Sequence, residues 1–158
     1  MTEHMSGAIP VDAFRSAFLT LLEEIFEVRH DLVLDPGETL RETLASITAE
    51  EASRVPAAGL APICAQVAHI VFLIDEQLRG QPTEGSAWAD AWSIQAVSAD
   101  EWSALRDQVR DRYERVCQFV TGFDSWDANY LGGALALLAH CAYHLGQIRE
   151  ALGIIRVE

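Results

Sequence analysis

Apolar residues recur at every third or fourth position in four stretches of the chain, a helical period in each case. The first stretch opens after Pro10, where Asp12 is placed to cap it. It carries Phe14, Phe18, Leu21, Leu22, Ile25 and Val28 on one stripe. Asp35-Pro36-Gly37 breaks it. Thr39 with Glu42 and Thr48 with Glu51 are capping-box pairs, which predict two brief helical turns in a long connection. The second long helix opens at Pro62, as its first helical residue, and runs to Gly80 on Ile63, Val67, Ile70, Ile74 and Leu78. Gln81 to Val97, with Trp88 and Trp92, has no strong period and reads as an ordered loop over the bundle.

Ser98 and Glu101 form a third capping box ahead of Trp102, Leu105, Val109, Tyr113, Val116 and Val120. Asp107, Arg110, Asp111, Glu114 and Arg115 supply that helix with a solvated face, and Gly122 stops it. The fourth helix, about Asn129 to Leu152, is Ala, Leu, Gly, Cys or His on nearly every side. Such a helix needs cover all round, from a central position or a subunit interface. Strand signals are weak throughout, so the expected class is all-α, a four-helix bundle with a long connection between its second and third helices. Residues 1–10 are expected to be a flexible N-terminus and 11–158 a single domain.

Charge narrows the function. Eleven basic residues, all Arg, face 24 acidic ones, a formal net charge of −13. No basic patch is available for phosphate contacts, which argues against nucleic acid as a partner. Without a lysine, Schiff-base and Walker-type chemistry is excluded. Cys64, Cys117 and Cys141 have no metal-site or redox spacing and read as core residues in a reducing compartment. The N-terminal residues show no secretory pattern, and the most apolar run, Leu131–Gly146, is too short to span a bilayer. A cytoplasmic location follows as the expectation.

His140 and His144 stand four apart on the fourth helix, one turn from each other on one face, and two imidazoles so placed can grip one metal ion. Two core histidines satisfied by hydrogen bonds would show the same spacing. Gly133, Gln147 and Ala151 fall near that face, Gln147 as a group that could hydrogen-bond a ligand or hold a water. A third ligand has to come from another helix. His69 lies mid-helix, with Gln66 and Glu76 near its face, and can meet the fourth helix at depth; His30, at a helix end, has an ordinary structural explanation. Tyr143 could orient a ligand or pack in the core. Arg149 could take an anionic group, cap the helix or pair with an acid. Glu76 is expected to face solvent.

The run His140-Cys141-Ala142-Tyr143-His144-Leu145-Gly146-Gln147-Ile148-Arg149 resembles the C-terminal signature of the DinB-like (YfiT-like) superfamily, H-x-x-x-H-x-G-Q-I. His69, within Cys64-Ala65-Gln66-Val67-Ala68-His69-Ile70, is similar in position to the first ligand of that family. The resemblance covers most of the chain. It implies an up-up-down-down bundle, often a homodimer, with a divalent transition metal (Zn, Ni, Fe or Mn) held by His69, His140 and His144. It also implies, among other activities, thiol S-transfer with mycothiol or bacillithiol as a low-molecular-weight thiol and a small-molecule electrophile as substrate. A metal-dependent hydrolase and a non-catalytic dimeric metal- or ligand-binding module are the alternatives. The pattern marks no general acid or base.

Overall fold

The computed structural model describes residues 10–80 and 90–157. Among these, six helices and no strand are present: α1 (Val11–Phe26), α2 (Leu40–Ala45), α3 (Ala49–Ser53), α4 (Ile63–Arg79), α5 (Ala99–Thr121) and α6 (Ala128–Val157). Trp88 and residues 1–9 lie outside the described part. The all-α class holds, and the four long helices are the four predicted from period.

Local chemistry explains most boundaries. All three capping boxes are complete, with Thr39, Thr48 and Ser98 each accepting from the N3 backbone while Glu42, Glu51 and Glu101 reach back. Gly80 ends α4 in the left-handed region, at φ 69°. Two starts differ from expectation. Asp12 does not cap α1; it sits inside the first turn and pairs with Arg15, and Pro10 holds the N-cap position. A capping side chain has to come from the residue before the helix, and Asp12 is already too far in. Likewise Pro62 is the N-cap of α4 and not its first helical residue.

At its other end α1 stops at Phe26, short of Val28, which is 51% exposed. The chain there turns back over a buried carboxylate. Glu24 accepts the backbone N–H groups of Leu32, Val33 and Leu34, and Asp31 takes the left-handed conformation that the turn requires.

The helices form a ring in which α4 packs on α5 and α6, and α1 packs on the same two. Gln66 meets His144, His69 meets His140 and Gln77 lies against Gly133, so α4 and α6 run antiparallel. Cys64, near the start of α4, contacts Ile94 just ahead of α5, and Asp75, near its end, pairs with Arg112 far along α5. These two helices therefore run parallel. Phe26 stacks on Tyr113 while Arg15 reaches the carbonyl of Phe123, which makes α1 and α5 antiparallel. The directions are up-down-down-up, not up-up-down-down. The reason is connection length. A parallel neighbour of a helix ~25 Å long can be reached only by a crossover, and the separation in sequence between Arg79 and Ala99 is long enough for one. The short link from Thr121 to Ala128 forces α5 and α6 to be antiparallel.

The core runs the length of the ring and includes Phe18, Leu22, Ile63, Val67, Ile70, Ile74, Cys141, Leu145 and Ile148. Each fully buried large aliphatic or aromatic side chain contributes about 1.5–3 kcal/mol. Helix α6 buries one broad face and leaves Tyr130, Leu135, Ala139, Tyr143 and Gly146 exposed, so this chain alone does not cover it all round. Among the described residues, no helix is long and apolar enough to cross a membrane.

Candidate metal centre

Antiparallel packing of α4 on α6 brings one histidine of the first helix to two of the second. The Nε2 atom of His140 stands 3.1 Å from that of His69 and 2.8 Å from that of His144. One nitrogen from each ring lies within 4.8 Å of the others. Imidazole nitrogens bound to one ion at ~2.1 Å and at roughly right angles stand ~3 Å apart, so the spacing fits a shared divalent ion.

Protonation fits as well. Burial, and then the proximity of His140, lower the pKa of His69 to about 4. Burial lowers that of His144 to about 4, with His140 and His69 adding to the effect and Gln147 opposing it. Burial lowers that of His140 too. Near neutral pH all three are uncharged, the form that offers a lone pair.

The ring of His144 is oriented from behind. Its Nδ1 lies 2.5 Å from Oε1 of the buried Gln66, an oxygen that only accepts. Nδ1 therefore carries the proton, and Nε2 presents its lone pair to the cluster. Gln66 is one turn before His69 on α4, so a single helix supplies one candidate ligand and the support of another. Trp92 stacks on His69 at 4.3 Å between ring centres and 21° between planes, and Phe72 lies further out at 6.4 Å. His69 and His144 are 4% and 3% exposed, whereas His140 keeps part of its edge open.

A family model of the DinB superfamily matches residues 37–148. The chain belongs to the DinB superfamily. The matched part runs from ahead of α2 through His144 and includes all three histidines. No curated protein and no solved structure matches the chain.

The other candidates of this DinB-superfamily chain fall differently. Gln147 is near His144, but its Nε2 donates to the Tyr143 hydroxyl at 2.8 Å. Tyr143 is 61% exposed; it packs in no core and forms, with Gln147, a hydrogen-bonded pair at the solvent edge of the cluster. Arg149 is committed elsewhere. It pairs with Glu38 at 2.5 Å and donates to Thr43, which ties α6 to the segment before α2. His30 pairs with Glu23 at 2.7 Å, apart from the cluster. Cys141 is a core residue, and burial pushes its thiol up to about 12.

Two features do not show in the sequence. Glu76 is 7% exposed and paired with Arg79, not solvent-facing as its position suggests; it lines the cavity between the ends of α4 and α5 and the start of α6. The sequence sets Gln66 near the face of His69, but its bond to His144 depends on how α6 lies against α4. The one local hint is an amide side chain, three residues before a histidine, in an otherwise apolar run.

Proposed function

We propose that the protein is a metal-dependent enzyme in which His69, His140 and His144 hold one divalent transition ion, Zn, Ni, Fe or Mn, and activate a small reactant. The observation that carries this reading is the convergence of three neutral imidazole nitrogens, one of them set in its tautomer by Gln66, beside a partly open His140 edge. Bound there, a divalent ion supplies a strong positive charge that lowers the pKa of a coordinated thiol or water. The chain's own side chains do the rest. Gln66 orients His144, Trp92 and Phe72 keep water from His69, and the Tyr143–Gln147 pair offers a hydroxyl beside the opening.

The form of the activity that we favour is S-transfer. A low-molecular-weight thiol, mycothiol or bacillithiol, loses its proton to solvent water, its sulfur attacks an electrophilic small molecule, and the leaving group departs with the bonding electron pair. Hydrolysis by an activated water is the alternative for the same centre, and a non-catalytic binding module is the reading that remains if no turnover follows. A cytoplasmic homodimer fits the reading. The exposed α6 surface, with Leu135 and Tyr143 beside Ala139 and Gly146, is apolar enough for a second copy to cover.

The test is metal content by elemental mass spectrometry on untagged protein, against a variant with His69, His140 and His144 all replaced by Ala. About one transition-metal ion per chain, lost in the variant, is expected. Equal metal in both, or none taken up by either on adding Zn or Ni, overturns the reading. With metal established, consumption of thiol in the presence of electrophiles separates transferase from hydrolase.

A further inference from the structure

Twenty-four acidic residues face eleven arginines in this chain, so an arginine seldom lacks a partner. Among the described residues every arginine but one is ion-paired to a carboxylate, and the exception is Arg106. Its guanidinium lies 6.0 Å from the ring centre of Trp102, one turn earlier on α5. That ring is itself fixed, since its Nε1 donates to the carbonyl of Ile47 at 2.8 Å. The Nε atom of Arg106 is shut off from solvent, while its two outer nitrogens stay open and hydrogen-bond to no described group. Packing thus hides the inner edge of the guanidinium and leaves the outer edge reachable. Those two nitrogens can take a carboxylate in two parallel hydrogen bonds.

Arg106 lines a pocket of about 170 Å³ where the end of α1 and helix α2 meet the first half of α5. Buried Phe26, Leu44 and Val109 form its apolar part. Its other charges cancel in pairs, Arg41 with Glu27 at 3.2 Å and Arg110 with Asp107 at 3.0 Å. One positive charge, that of Arg106, is left over. A monoanion balances it, whereas a dianion brings a second negative charge beside Glu27 and Asp107. A space of this volume takes about one six-membered ring. We propose that the pocket binds a small monocarboxylic acid with a compact apolar body, such as an aryl carboxylate. Its carboxylate lies on the outer edge of Arg106 and its ring against Leu44 and Val109. The histidine cluster lies between α4 and α6, away from this pocket, so the site does not depend on the metal-centre reading.

The experiment is a titration of the full chain, its Leu and Val methyl groups labelled with ¹³C, with benzoate at about 0.15 M salt. Benzamide and phenyl phosphate serve as controls. Saturable shifts of the Leu44 and Val109 methyl signals are expected at a Kd on the order of 1 mM, with contacts from those methyls to the benzoate ring. Benzamide, which keeps the ring and lacks the charge, should bind at least about tenfold more weakly, and so should phenyl phosphate. Arg106→Gln should weaken benzoate by a similar factor and leave benzamide unchanged. His140→Ala should leave the benzoate shifts in place, which separates this pocket from carboxylate binding to a metal. No saturable shift at Leu44 and Val109, benzoate and benzamide bound alike, or benzoate indifferent to Arg106→Gln overturns the proposal. Phenyl phosphate bound as tightly as benzoate overturns its restriction to carboxylates. The comparison of benzoate with benzamide on the wild-type chain decides the matter if Arg106→Gln fails to fold.

Discussion

At the scale of single residues, the arrangement around His144 turns on which ring nitrogen carries the proton. A free imidazole can place it on either, and only one tautomer points a lone pair at His140 and His69. Gln66 selects it through a 2.5 Å contact. Replacing Gln66 by Leu should lower metal affinity about ten- to hundredfold in a competition with a chelator, the usual cost of losing such support. Gln66→Glu keeps an acceptor and should hold most of the affinity. His30→Ala, in contrast, should leave metal content unchanged, because His30 pairs with Glu23 away from the cluster. Of this detail the sequence displayed the pair at His140 and His144 and the likeness of its surroundings to a family signature. It could not display the bond from Gln66 to His144, since 78 positions separate them and only helix packing brings them together.

At the scale of elements, carboxylates, one buried and one part-exposed, pin short segments onto long helices. Burial pushes the pKa of Glu24 up, but the backbone N–H groups of Val33, Leu34, Leu32 and His30 outweigh it and hold the group ionised. Glu24→Ala would leave several of those donors without an acceptor and should destabilise the fold by on the order of 3 kcal/mol in urea unfolding. Glu51 ties α3 to the end of α6 through Arg156 and caps its own helix through Thr48. Its hydrogen bond from Arg156, then that from Thr48, lower its pKa from 4.5 to about 2. A folded pKa below the unfolded one means that the unfolded chain binds the proton more readily in that window. The stabilisation is therefore complete above pH 4.5 and fades as the pH falls toward 2. Melting curves of wild type and Glu51→Gln should differ at pH 6 and converge near pH 2. The capping box at Thr48 was legible from spacing; the reach of Glu51 to Arg156 was not, because α3 and α6 are far apart in the chain.

At the scale of the whole molecule, the histidine cluster joins two helices that share a long seam, so occupancy and fold stability are coupled. A divalent ion at about a thousand times its dissociation constant should stabilise the folded chain by about 4 kcal/mol. This should appear as a rise in melting temperature on adding Zn or Ni, reversed by chelator and absent when all three histidines are replaced by Ala. A melting temperature indifferent to metal in the wild type would mean that the ion does not bind the folded chain selectively.

What the sequence determined by itself was local. Helical period placed the four long helices, three capping boxes set the starts of α2, α3 and α5, and the spacing of His140 and His144 put two imidazoles on one face. Each depends on residues within a few turns of one another, where backbone geometry dictates which side chains meet. Tertiary structure decided the rest: the up-down-down-up order, the meeting of His69 with His140, the support from Gln66, the burial of Glu76 and the pocket beside Arg106. These depend on which helix faces which and in what direction. That is settled by connection length and by the joint burial of several apolar faces, and no single helix carries it in its own sequence.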